Sequence, residues 1–199
     1  MFWDKAASLY DLFEMVYNGK VYKGLAMKVA ESIESSDDVL ECACGTGMIS
    51  RHIAPKCHSL IATDVSEGMM KQAKKHCSKF QNVTIRKADI MALEWGEETF
   101  DKVVAGNVIH LLDDPHGALA ELLRVCKKGG LVIIPTYINI VDTGKVSLAA
   151  QALEILGVNF KREFNIDTYK QFFADAGFND VEYHVVEGRM SCAIAIIKK

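Results

Sequence analysis

The sequence has little of what marks a linker, a membrane span or a nucleic-acid-binding surface. Its 199 residues include only three prolines and no low-complexity tract, so we expect a single domain over residues 1–199. The longest apolar runs, residues 131–134 and 193–197, are strand-sized and too short to cross a bilayer. The net charge is −3 without a basic stripe, which argues against nucleic acid as the main partner.

The chain also lacks a second cysteine pair and a leader-like start. Cys42 and Cys44 would share one face of a strand, but no second pair completes a zinc site, so we expect reduced, buried cysteines and no metal. The first residues, M-F-W-D-K, show no basic segment followed by an apolar one, so we expect no secretory signal. We therefore expect a cytoplasmic protein.

From residue 39 onward, short apolar runs alternate with amphipathic helices. The runs are hydrophobic on both faces, which indicates a buried parallel sheet. Such alternation predicts an α/β, Rossmann-like, doubly wound fold. The predicted strands cover residues 38–43, 59–64, 82–87, 101–106 and 130–136, and the predicted helices 47–55, 67–79 and 115–127.

The flanking segments follow a different pattern. Residues 1–36 predict an N-terminal helical cap, with a break near Asn18. Residues 137–163 interrupt the alternation after the fifth strand and include a predicted helix over 146–156. The chain then predicts a helix over 166–176 and an antiparallel hairpin of strands 180–187 and 191–198.

The glycine turn after the first predicted strand carries a negative charge. Residues 39–47 read V-L-E-C-A-C-G-T-G, and turns of this kind usually hold pyrophosphate on free backbone N–H groups. The carboxylate of Glu41 would repel pyrophosphate and attract a cation. S-adenosylmethionine, with its ammonium and sulfonium charges, fits both the turn and the carboxylate.

Three further groups follow later strand ends. Asp64 can accept two ribose hydroxyls, or it can cap the next helix. Asp89 can accept from an adenine amino group with Ile90 against the ring, or it can be a solvated loop residue. His110 can act as a general base, or it can be structural or shape the pocket.

At these residues the chain resembles the class I S-adenosylmethionine-dependent methyltransferases. It is most similar to the small-molecule branch that includes the ubiquinone/menaquinone biosynthesis methyltransferases. The family's first motif is typically V-L-D-x-G-C-G-T-G, so Glu41 replaces an aspartate and Ala43 a glycine. The alanine is a mild change if its φ is negative. The resemblance spans about residues 37–199 and includes segments 62–70, 100–104, 123–130 and 173–178.

The resemblance implies a seven-stranded sheet, mostly parallel with an antiparallel last strand, under an N-terminal helical lid. It implies that Tyr10 closes over the cofactor, with Tyr17 and Tyr22 as further candidates for that role or for helix packing. It also implies that S-adenosylmethionine is held by the ends of several strands, at residues Glu41, Ala43, Cys44, Gly45, Thr46, Gly47, Asp64, Val65, Met69, Asp89, Ile90 and Asn107.

We therefore expect methyl transfer to a small, neutral or hydrophobic acceptor, because the N-terminal helices and residues 137–163 are rich in apolar and aromatic residues and would form its lid. One alternative is a protein that binds the cofactor without transferring methyl. A weaker one is an NAD-dependent oxidoreductase, since Gly45-x-Gly47-x-x-Ser50 is one residue away from a dinucleotide motif. The sequence after the fourth strand, N-V-I-H, lacks the Asn/Asp-Pro-Pro-Tyr/Phe pattern of DNA and amide N-methyltransferases.

Overall fold

The computed structural model of the protein describes residues 2–139 and 161–199. Most of the predicted lid segment 137–163, with its helix over 146–156, therefore lies outside the described residues. The helices are α1 (Phe2–Glu31), α2 (Ser50–Ile53), α3 (Glu67–His76), α4 (Pro115–Val125) and α5 (Ile166–Asp175), with a 3₁₀ turn at Ile109–Leu111. The strands are β1 (Asp38–Cys42), β2 (Ser59–Asp64), β3 (Val83–Lys87), β4 (Phe100–Ala105), β5 (Cys126–Tyr137), β6 (Val181–Val186) and β7 (Cys192–Lys198).

The strands form one seven-stranded sheet in the order β3-β2-β1-β4-β5-β7-β6. Strands β1 to β5 run parallel to one another, and β7 lies antiparallel to both β5 and β6. This arrangement confirms the predicted fold class and the antiparallel last strand. The chain leaves β1 toward β2 and β3 and then returns to β4 on the other side, so the carboxyl ends of β1 and β4 flank a crevice.

Both faces of the sheet are buried, as the hydrophobic strands predicted. Alternate residues point into two apolar layers, so that Leu40 and Val103 pack with α4 and α5 whereas Val39 and Val104 pack against the second half of α1. Burial on both sides fixes the register of each strand, because a one-residue slip would exchange the two layers. The loops at the strand ends are thereby held in place.

The ends of the helices follow local rules. Asp114 caps α4 by accepting the Gly117 N–H at 2.8 Å, and Pro115 occupies the first helical position. The predicted break in α1 is confirmed at Asn18, whose φ of −130° is not helical. Asn18 Nδ2 donates to the Met190 carbonyl at 2.9 Å, which attaches α1 to the loop between β6 and β7.

Several element boundaries differ from the predictions. Helix α2 is shorter than predicted, since the chain remains in turns until Ser50. Strand β5 begins four residues earlier than predicted, because Cys126 pairs with Phe100 before an irregularity shifts the register. Among the described residues, no helix is long and apolar enough to cross a membrane.

Candidate active site

A cavity of about 270 Å³ opens at the carboxyl ends of the central strands. Its walls come from the loops that follow β1, β2, β3 and β4, together with two residues of α1. This is where ligands bind in open α/β sheets. The lining residues are Trp3, Tyr22, Glu41, Ala43, Cys44, Gly45, Thr46, Met48, Ile49, Asp64, Val65, Met69, Ala88, Asp89, Ile90, Gly106, Asn107, Val108, Leu111 and Leu112.

Most of the sequence-predicted cofactor residues meet in this cavity. Eleven of the thirteen are among the lining residues quoted above, and two are not. Gly47 is buried just behind the turn, where a Cβ would lie 3.2 Å from the Ala73 Cα of α3. Tyr10 belongs to α1, but its side chain falls outside the part of the chain that the structure describes, as does that of Tyr17.

The turn after β1 contains a strained alanine. Gly45 and Gly47 have φ values of +55° and +84°, and Ala43 has a φ of +53°. The condition under which the alanine would be a mild change, a negative φ, is therefore not met. A left-handed conformation costs a residue with a Cβ roughly 1–2 kcal/mol, so the alanine at this position is less favourable than a glycine would be.

Glu41 is a buried acid at the cavity wall. It is only 1% exposed, and Ser50 Oγ donates to its Oε2 at 2.5 Å. Burial, with a smaller contribution from the charge of Asp64, raises the pKa of Glu41 to about 8. The free site therefore favours the protonated carboxyl at neutral pH, and a cation placed beside Glu41 would favour the ionised form.

Asp64 is held in place by backbone amides. Its two oxygens accept the N–H groups of Gly45 and Ser66, each at 2.9 Å, and it is 8% exposed. Burial raises the pKa of Asp64, while these hydrogen bonds oppose the rise. The helix cap of α3 is Ser66, whose Oγ accepts the Met69 N–H. The remaining lone pairs of Asp64 can accept hydroxyl groups from a ligand.

The far wall of the cavity combines an exposed acid with an apolar surface. Asp89 is exposed and accepts the Met91 N–H at 2.9 Å, and Ile90 beside it is buried. Val65 and Met69 also line this part of the cavity. The adenine contacts of Asp89 and Ile90 stay a prediction, and both residues line the cavity as that prediction requires.

His110 does not reach the cavity. It is 3% exposed, its Nδ1 lies 2.8 Å from Thr136 Oγ1, and it is not among the described lining residues. Burial lowers the pKa of His110 to about 3. A ring behind the cavity wall with so low a pKa is a poor proton acceptor, so its placement argues against the expected general base. The structural alternative fits it better.

Two buried polar atoms belong to residues that the resemblance had already implicated in binding the cofactor. The Tyr22 hydroxyl and the Asn107 side-chain oxygen are buried and find no hydrogen-bond partner among the described residues. Asn107 also has a φ of +53°, a conformation that asparagine tolerates better than most residues. Unpaired buried polar groups are uncommon in folded proteins and often mark functional regions.

Comparisons with known proteins agree with this geometry. A family model described as a methyltransferase domain matches residues 40–134. The chain is 25% identical to the demethylmenaquinone methyltransferase of Clavibacter sepedonicus over 202 residues, which cover 91% of this chain and 82% of that protein. It is 33% identical to an uncharacterized chloroplastic methyltransferase of Arabidopsis thaliana over 109 residues, 51% of this chain. The match spans only 31% of the Arabidopsis protein.

Solved structures give the same fold. The DhpI–SAH complex superimposes with a TM-score of 0.72 at 20% identity, and the match covers 98% of this chain and 92% of that chain. A likeness at this identity shows the fold alone. Residues 40–134 match the methyltransferase domain, and the chain has the Rossmann-like fold of the class I S-adenosylmethionine-dependent methyltransferases, to which it is similar.

Proposed function

We propose that this chain transfers the methyl group of S-adenosylmethionine to a small, neutral or hydrophobic acceptor. The observation that carries the proposal is the pair of buried carboxyl groups, Glu41 and Asp64, which share one cavity at the ends of β1 and β2. A buried acid is costly unless something compensates it, and a cationic ligand with ribose hydroxyls would compensate both.

Each part of the cavity has a role in this proposal. Glu41, with Asn107 and the turn residues 43–46, binds the amino-acid end of the cofactor, and Asp64 accepts the ribose hydroxyls. Asp89 and Ile90 hold the adenine. Bound S-adenosylmethionine supplies an electrophilic methyl group, and the residues of this chain align the acceptor and exclude water. Such an in-line displacement does not require His110 as a base.

The acceptor side of the cavity is apolar. Val108, Leu111 and Leu112 follow β4 beside the cavity, and Trp3 and Tyr22 contribute aromatic surface from α1. The acidic lining residues are Glu41, Asp64 and Asp89, and none of the lining residues is a lysine, arginine or histidine. An anionic acceptor would therefore lack a partner in the described part of the cavity.

The Clavibacter relative, by its name, acts on demethylmenaquinone. We carry over from it only a chemical class, an acceptor that is largely apolar and uncharged. We further propose that the acceptor is a free small molecule and not nucleic acid, in line with the net charge of −3, and that the reaction takes place in the cytoplasm.

The acids of the cavity also bear on the two alternative functions, NAD-dependent chemistry and cofactor binding without methyl transfer. Pyrophosphate of a dinucleotide on the glycine turn would lie beside Glu41 and oppose its ionisation, whereas a cation would favour it, so NAD-dependent chemistry is disfavoured electrostatically. A protein that binds the cofactor without transferring methyl would have the same cavity, and only turnover separates it from an enzyme. We therefore test binding first and methyl transfer second.

The test is calorimetric titration of S-adenosylmethionine, S-adenosylhomocysteine and NADH into the wild-type protein and Asp64→Ala. We expect both adenosyl ligands to bind the wild type, with affinity falling by about 100-fold in the variant, since it loses hydrogen bonds to a charged acceptor. Binding of NADH in place of the adenosyl ligands would reject the proposal. A panel of neutral apolar and charged acceptors then tests turnover, and turnover of charged acceptors alone would reject the acceptor class.

A further inference from the structure

The first turn of α1 is attached to the start of α3 by one carboxylate. Asp4 Oδ1 accepts the Ser66 hydroxyl at 2.7 Å and the Gly68 N–H at 3.0 Å. The hydrogen bonds from Gly68 and Ser66 hold the pKa of Asp4 well below its usual range. Asp4 therefore stays ionised at neutral pH, beside the positive end of the α3 dipole.

Backbone lies against backbone at this contact. A Cβ on Gly68 would come within 2.6 Å of the Asp4 carbonyl oxygen and 2.7 Å of its Cα. These are main-chain atoms, which cannot move aside as the end of a long side chain could. The two helices can approach this closely because residue 68 is a glycine, and an alanine there would push Asp4 away.

The contact adjoins the cavity on both sides. Trp3, next to Asp4, lines the cavity. Ser66, which donates its hydroxyl to Asp4, also donates its backbone N–H to Asp64 Oδ1 at 2.9 Å. A continuous set of contacts therefore connects the aromatic cover at Trp3 with the carboxyl group to which the ribose is assigned.

We propose that Asp4 is a latch: its bonds to Ser66 and Gly68 hold the first turn of α1 closed, so that Trp3 covers the cofactor cavity and slows release of the cofactor. This role rests on the proposed function for the nature of the ligand. Asp4 is a positioning residue, since it acts through Trp3 and Ser66. Binding at Asp64 and closure of the first turn support each other, because both order Ser66.

The test uses the fluorescence of Trp3. The chain has two tryptophans, and Trp95→Phe removes the other while keeping a ring against Phe100. In this background we compare acrylamide quenching of Trp3 in the unliganded protein with that in Asp4→Ala, Asp4→Asn and Gly68→Ala. We expect quenching to increase in Asp4→Ala and Gly68→Ala, and less in Asp4→Asn, which keeps an acceptor oxygen.

Release of S-adenosylhomocysteine, measured by stopped-flow, is the second readout. We expect the off-rate to rise by about tenfold in Asp4→Ala and Gly68→Ala, the equivalent of one lost charge-assisted hydrogen bond. Alanine favours a helix more than glycine does, so α3 and the melting temperature should persist in Gly68→Ala. A structural role would lower the melting temperature and leave both quenching and the off-rate unchanged.

Unchanged quenching and an unchanged off-rate in Asp4→Ala and Gly68→Ala would overturn the latch. If the wild type bound no S-adenosylhomocysteine, the proposed function would fail, whereas quenching in the unliganded protein would still decide whether Asp4 closes the first turn. If quenching of Trp3 increased in these variants while the off-rate of S-adenosylhomocysteine equalled that of the wild type, the claim that closure retains the cofactor would be overturned.

Discussion

Acidic residues lie at both edges of the sheet, but the two groups differ in whether basic side chains pair with them. At the amino-terminal edge, Asp101 Oδ1 lies 2.8 Å from Lys127 Nζ, and Asp37 Oδ2 lies 3.5 Å from Lys102 Nζ. Burial alone would raise the pKa of Asp101, but hydrogen bonds from Lys127 and the Asp38 amide lower it below its ordinary value. These acids are paired within the protein.

At the carboxyl edge, no described basic side chain forms an ion pair with Glu41 or Asp64. Burial raises the pKa of both. Asp101 and Asp37 are thus paired with basic side chains, whereas Glu41 and Asp64 are held by hydrogen bonds without a described ion pair, and we propose that a cationic ligand supplies the missing partner. A pair of this kind identifies a ligand site more clearly than the glycine turn does, because turns of that type hold several classes of nucleotide.

Replacing one acid at each edge by its neutral amide should affect ligand affinity at the carboxyl edge and protein stability at the amino-terminal edge. Glu41→Gln should lower the affinity for S-adenosylmethionine by about 100-fold, since a charge-assisted contact is lost. Asp101→Asn should leave that affinity unchanged and lower the melting temperature slightly, because a half-exposed ion pair contributes only about 0–1 kcal/mol. Calorimetry and thermal unfolding measure both, and equal affinity losses in the two variants would contradict the distinction.

The pH dependence of stability should separate the two edges in the unliganded protein. The pKa of Glu41 is about 8 in the folded protein, whereas the ordinary pKa of a glutamate is 4.5. The folded state binds more protons between these values, so the stability that Glu41 contributes is lost as pH rises through about 8. The lowered pKa of Asp101 acts in the opposite sense, with stability lost as the pH falls.

Thermal unfolding of the wild type and Glu41→Gln between pH 5 and 9 measures this contribution. The variant should lose less stability toward high pH, because its amide has no proton to release. A wild type and a variant with parallel stability curves would mean that Glu41 is not protonated in the free protein. Asp101→Asn serves as the matched control, since it should change only the acidic end of the curve.

The smallest expected effect concerns the turn that connects the two carboxyl groups. Ala43→Gly should relieve a positive φ and stabilise the protein by about 0.5–1 kcal/mol, after the greater flexibility of glycine in the unfolded chain is subtracted. The melting temperature should then rise by about 1–4 °C. A lower melting temperature would show that the alanine methyl packs well enough to offset the strained backbone.

The sheet, its helices and most of the cavity residues could be predicted from the sequence. Hydrophobic runs predicted the strands. Glu41 lies one residue before the end of β1 and Asp64 ends β2, so the parallel pairing had to bring both acids to one edge. Asp114 and Pro115 marked the start of α4 by local chemistry alone. These features depend on short-range patterns, which a single sequence contains.

Other features depend on tertiary packing and were missed. The positive φ of Ala43 is imposed by the turn, since alanine itself does not favour it. The placement of the His110 ring beside Thr136 likewise depends on packing, and a catalytic role for His110 stays a prediction. The link between Asp4 and Gly68 joins residues 64 positions apart, and no local pattern predicts it.

The most direct test of the central claim is proton release on cofactor binding. S-adenosylmethionine is titrated into the wild type and Glu41→Gln at pH 7 in buffers of different ionisation enthalpy. The structure predicts that the wild type releases most of one proton, since the cation ionises a carboxyl group whose pKa is about 8, and that the variant releases none. Binding without proton release by the wild type would contradict the assignment of Glu41 as the partner of a cation.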